Sequence, residues 1–132
     1  MSGFVPASGV VDHQEFLRRL SLHFPELTAA LDADERELLH LGMAALARAS
    51  DSAIGQGQWS RVVEHFTFVD ALLEEATPEV RNAVHVSFLE NIFGGANSDA
   101  LSIARAKLPA RLRNALTELE QQMETVARGP GT

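Results

Sequence analysis

The chain of 132 residues contains no cysteine. That removes disulfides, thiolate metal ligands and thiol nucleophiles together, and it suits a reducing compartment. Long apolar runs are also missing: His, Glu or Gly interrupts each one well before the roughly 20 residues that a bilayer-crossing helix needs. The opening Met1-Ser2-Gly3-Phe4-Val5-Pro6 has no basic residue ahead of its apolar part, a poor secretory signal. A cytoplasmic protein without membrane contact is expected. Basic side chains are scarce, with 11 Lys and Arg against 18 Asp and Glu, for a net charge of -7. A polyanion would be repelled overall. The single basic cluster, Arg105, Lys107, Arg111 and Arg113, has no interleaved aromatic rings to stack on bases, so no nucleic-acid partner is expected. Lys107 is the one lysine, and this bias toward arginine, with many alanines, suggests a GC-rich bacterial genome on composition alone.

What is present is the composition of a folded domain: 45% hydrophobic and 22% charged residues in a chain of single-domain length. Gly3, Pro6, Ser8 and Gly9 disfavour regular structure at the start, as Gly129-Pro130-Gly131 does at the end. Flexible segments over 1–11 and 129–132 are expected around a helical domain spanning 12–128. Asp12 is a candidate cap, with Glu15 three residues on and Phe16, Leu17, Leu20 and Phe24 at helical spacing until Pro25. Acidic residues Asp32, Asp34 and Glu35 open a long second helix to about Ile54. Its expected inward face, Leu38, Leu41, Gly42, Ala45, Leu46, Ala49 and Ala53, is mostly small and lets another helix approach closely. After Gly55-Gln56-Gly57, a third helix carries Val62, Phe66, Val69 and Leu73 on one stripe. Thr77-Pro78 then starts a fourth over 78–93, apolar nearly all round and hence expected to be central. Two more helices follow the loop from Gly94 to Asp99, the last bearing Leu112, Leu116, Leu119, Met123 and Val126. No strand signal occurs. The fold class is therefore all-α, an irregular bundle of about five to six helices with helical-hairpin packing in the middle.

Catalytic constellations are not evident. His13, His23, His40, His65 and His85 fall on different elements without a metal-ligand spacing, and His40 and His85 read as half-core residues with local partners. No Gly-x-Ser-x-Gly turn or phosphate-cradling glycine loop occurs. Neither a metal, a cofactor nor a catalytic residue is expected. Asp32, Asp34, Glu35 and Glu37 belong to a first helical turn, and Glu118, Glu120 and Glu124 to a solvated face. Glu90 differs, since α-helical spacing puts it on one face with Ala83, Val86 and Phe93. A buried carboxylate there requires a partner. A structural ion pair with Arg48 or Arg81 is expected ahead of a general base or a partner contact. Phe68 and Leu72 lie off the third helix's apolar stripe, among Arg61, Glu64, His65 and Glu75. Either another helix covers them or they form an apolar centre with an acidic rim, as recognition surfaces do.

Gly55-Gln56-Gly57-Gln58-Trp59, then Val62, Val63, Phe66, Ala71 and Leu72, then Thr77-Pro78, resembles the turn and second helix of one tetratricopeptide repeat, although no second copy follows. A broader resemblance rests on Phe24-Pro25-Glu26-Leu27, Phe66-Thr67-Phe68-Val69-Asp70 and the run Asn82 to Asn91. These segments resemble a small bacterial all-helical family of undefined function, over about Phe16 to Leu119. Small acidic proteins of this sort are often encoded beside secreted toxins as immunity proteins, an analogy rather than a property of the motif. The expected function is thus a protein-binding module, an antitoxin-like inhibitor that occludes a basic enzyme. Its expected contacts are Glu64, Phe68, Glu74, Glu75 and the loop residues Asn97 and Asp99. A helical adaptor or homodimer burying Phe68 and Leu72 is the alternative, and a small helical enzyme the third reading; monomer and homodimer both stay open.

Overall fold

A computed structural model describes residues 11–29, 31, 38–93 and 98–128. Seven helices and no strand occur among the described residues, so the all-α expectation holds. Helix α1 spans His13–His23, with the Asp12 carboxylate accepting the Glu15 N–H at 2.9 Å. Glu15 does not reach back to close a capping box. It binds Arg18 and Arg19, each at 2.7 Å, and these hydrogen bonds pull its carboxyl down to about 2. Pro25 stops α1 as expected, yet it also opens a short helix α2, Pro25–Ala29, because a proline at the first helical position forfeits no internal hydrogen bond.

Helix α3, Leu38–Gly55, ends in a Schellman motif. Gly57 adopts φ 69°, its N–H bonds to the Ile54 carbonyl at 3.1 Å, and the Gln58 N–H bonds to Ala53 at 2.9 Å. Helix α4 follows as Trp59–Glu74 and packs back on α3, making the expected hairpin. Thr77 caps α5, which runs as an α-helix over Pro78–Ala83, widens into a π turn over Val84–Leu89 and resumes over Glu90–Phe93. Helix α6, Asp99–Ala106, is capped by Ser98, and α7 spans Ala110–Arg128. The start of α7 is capped from outside: Asp70 on α4 accepts the Leu112 backbone N–H at 2.9 Å and also a hydrogen bond from the Arg111 guanidinium at 3.1 Å.

The hub is α3, on which α1, α2, α4, α5 and α6 all pack. Its small residues explain that role. A Cβ added to Gly42 would stand 3.1 Å from the Phe16 ring and 3.2 Å from Leu20, so α1 seats closely on the glycine and a larger residue would require those side chains to give by a few tenths of an ångström. The expected inward face is partly rotated: Gly42, Ala45, Leu46 and Ala53 are buried, but Leu41 is exposed, Ala49 is half-buried, and Leu39, Met43, Ala47 and Ser50 join the core. The α4 stripe Val62, Phe66, Val69 and Leu73 is buried throughout. Helix α5, expected to be central, buries Val80, Ala83, Val84, Phe88, Leu89 and Ile92 but keeps Glu79, Asn82, Val86 and Glu90 on an open face. Val11, assigned from sequence to the flexible segment, is fully buried, and its N–H and C=O pair with Glu75 at 2.8 Å and Thr77 at 3.0 Å. Those two bonds tie the entry of α1 to the turn between α4 and α5. The expected acidic start of the second helix, 32–37, and loop residues 94–97, including Asn97, lie outside the described residues.

Candidate protein-binding surface

Two of the expected contact residues meet in a groove of about 400 Å³ between the end of α1 and the outer face of α4. His23 and Phe24 form one wall; Glu64, Thr67, Phe68 and Ala71 form the other. The aromatic rings are held edge to face. Phe24 meets Phe68 at 5.2 Å and 84°, and His23 meets Phe68 at 5.5 Å and 62°, within the range where such pairs gain beyond simple burial. Phe24 is buried and Phe68 half-buried, so an apolar edge is presented on a fixed base.

Behind the groove lies His65. Its ring contacts Phe24 at 5.0 Å and 83°, and its Nδ1 is 2.9 Å from the Ser50 hydroxyl on α3. Both residues are buried, and burial lowers the His65 pKa, opposed in part by the nearby Glu64 and Glu26 carboxylates and reinforced by Arg61. A serine beside a histidine is half of a nucleophile–base pair. Here the hydroxyl belongs to a fully buried residue, out of reach of a substrate, and the contact instead locks α4 to α3 under the groove.

The other expected contacts are distributed unequally. Glu64, Thr67, Ala71 and Glu74 form one exposed stripe along α4, ten residues or roughly 15 Å from end to end at 1.5 Å per residue. Glu64 makes no ion pair among the described residues, whereas Glu74 is 3.3 Å from Arg111. Glu75 caps α4 half-buried, and its carbonyl receives the Val11 N–H. Asp99 is exposed in the first turn of α6, on a separate element. Leu72 is buried within the chain and unavailable to a partner. Sequence reading missed His23 and Phe24 as groove walls; the available signal was an aromatic pair directly before the proline that ends α1.

Glu90 corrects an expectation. The residue is exposed, makes no ion pair among the described residues, and Arg81 donates instead to the Leu73 carbonyl at 3.3 Å. The reason is the π turn, in which the Glu90 N–H bonds to the His85 carbonyl five residues back. Positions five apart, Ala83 with Phe88 and Val84 with Leu89, become the buried pairs, and the face carrying Val86 and Glu90 turns outward. The histidines stay separate: His13 is 3.7 Å from Glu79, His40 bonds Ser87 at 2.7 Å, and His85 is 3.5 Å from Glu118. No group of three His, Asp or Glu side chains among the described residues converges as a metal site. No described helix is long and apolar enough to cross a membrane.

The chain belongs to the family described as a domain of unknown function, DUF7674, whose model matches residues 17–124. That span includes both walls of the groove. No curated protein and no solved structure matches the chain.

Proposed function

We propose that this chain is a protein-binding module that holds a basic protein partner against the α1–α4 groove and the acidic stripe beside it. The observation that carries the reading is the half-exposed Phe68 ring, fixed by Phe24 and His23, with the Glu64 carboxylate, which has no ion-pair partner among the described residues, at its rim. Completing the burial of an aromatic edge contributes stability, and fixed rings lose little entropy when they bind. Glu64 together with a net charge of -7 attracts a basic surface and speeds encounter. In its narrowest form the proposal is an immunity-type inhibitor in a bacterial cell, covering the basic active-site surface of a toxin. The support for that form is the acidic character of the chain, by analogy with small acidic proteins encoded beside secreted toxins.

The test is affinity capture from the native cell with three tagged proteins in parallel: wild type, Phe68→Ala and Glu64→Arg. Products of neighbouring genes belong in the mass-spectrometric search. A stoichiometric basic protein retained by wild type and lost by both variants is expected, with its enzymatic activity suppressed in the complex. Equal retention by all three proteins removes this surface. A concentration-dependent mass for the purified protein, abolished by Phe68→Ala, replaces the reading with self-association.

A further inference from the structure

On the opposite side of α5 from its buried face, a second concavity lies between the π turn and α7. Its volume is about 470 Å³, within the usual range of small-molecule sites. The floor is apolar, formed by Val86, Leu119 and Met123, and the polar edge carries Glu90, Gln122 and His85. Val86 is 45% exposed and Met123 41%, so two of the three floor side chains present apolar area to water. Among the described residues neither lysine nor arginine lines the cleft, and the one formal charge there is the Glu90 carboxylate, which makes no ion pair with them. Beyond His85 stands a second carboxylate, Glu118.

The backbone at this place is unusual in a way that bears on the cleft. The π hydrogen bond joins Glu90 to His85, the charged residue and the imidazole of the polar edge. Single π turns inside α-helices recur at functional sites, where the wider turn presents side chains that an α-helix would direct elsewhere. Without it, α-helical spacing would group Glu90 with the buried Ala83. His85 is also left incomplete: its Nε2 is buried and accepts or donates no hydrogen bond, with the Glu118 carboxylate 3.5 Å away. A buried polar atom without a partner is uncommon and costly.

From these features we infer that the cleft binds a small amphipathic cation, an organic amine with an apolar body. Val86, Leu119 and Met123 receive the body, and the ammonium group lies against Glu90. Met123 suits this role, since an unbranched thioether adapts to different apolar shapes. A negative rim without a basic residue selects a cation over an anion of the same size. The inference concerns a surface separate from the α1–α4 groove and stands independently of the proposed protein partner.

The chain has three methionines, so methyl labelling gives three signals, with Met43 fully buried in the core as an internal reference. The probes are 2-phenylethylammonium, the neutral 2-phenylethanol and the anionic 3-phenylpropionate. The expected result is a saturable shift of the Met123 methyl, with the cation bound at least about 10-fold more tightly than the alcohol and the carboxylate weakest. Glu90→Gln should erase the preference for the cation over the alcohol while the Met43 signal stays in place. Equal affinity for the three probes, or a cation preference that survives in Glu90→Gln, overturns the inference. A Met123 shift that follows protein concentration without any probe overturns it in favour of a second copy as occupant.

Discussion

The groove on α1 and α4 and the cleft on α5 and α7 share a composition, an apolar floor beside a carboxylate, but differ in what supports them. Under the groove, every link is closed: Phe68 rests on Phe24, Phe24 on His65, and His65 bonds Ser50 across to the hub helix. At the cleft, Val86 and Met123 stand partly in water and His85 Nε2 has no hydrogen bond. The difference teaches that surface chemistry alone does not define a site. The groove's aromatic edge is a fixed extension of the core, suited to a rigid macromolecular partner, while at the cleft only Leu119 belongs to the core and the exposed Val86 and Met123 are free to adapt.

The largest expected effect comes from removing the ring at the centre of the supported region. Phe24→Ala should destabilise the chain by about 3–5 kcal/mol in denaturant unfolding, since Phe24 is 4% exposed and contacts both His65 and Phe68. Ser50→Ala should cost about 1–3 kcal/mol because it strands His65 Nδ1 in the core. A loss near zero would mean that the seam under the groove is not closed by this bond.

Acid should act on the groove side through the same histidine. Burial holds the His65 pKa below its ordinary 6.5, so as pH falls through 6.5 the unfolded chain takes up a proton that the folded chain does not. Stability is therefore full above pH 6.5 and declines below it, until the folded-state pKa is reached. A decline in unfolding stability below pH 6.5 is expected in denaturant titrations, and it should be shallower in His65→Gln. Glu15 acts in a separate window: its contribution is present above the ordinary 4.5 and lost as pH falls toward its value of about 2. The smallest effect belongs to the cleft. Met123→Ala should change stability by less than about 0.5 kcal/mol, and a much larger loss would show that Met123 is part of the core.

The fold was legible wherever spacing alone decides burial. The stripe on α4, the cap at Asp12 and the glycine stop after α3 needed only local rules. The family-like segments explain themselves once folded: in Phe66-Thr67-Phe68-Val69-Asp70, two residues enter the core, Phe68 floors the groove and Asp70 caps α7. That last role was invisible, because the capped N–H lies 42 positions away. Glu90 was misread because α-helical periodicity was applied across a π turn, which no local residue pattern announces. Of the proposed surface, Glu64 and Phe68 were visible as an apolar residue with an acidic neighbour off the main stripe. His23 and Phe24 were not, since only the packing of α1 on the bundle brings them beside α4.

The most direct test of the protein-binding reading is hydroxyl-radical footprinting of the complex with the captured partner. Met123 reports on the cleft, while His23 and Phe68 report on the groove. The account predicts that oxidation of His23 and Phe68 falls several-fold on complex formation while Met123 is unchanged. Protection of Met123, with His23 and Phe68 as reactive as in the free protein, would contradict it.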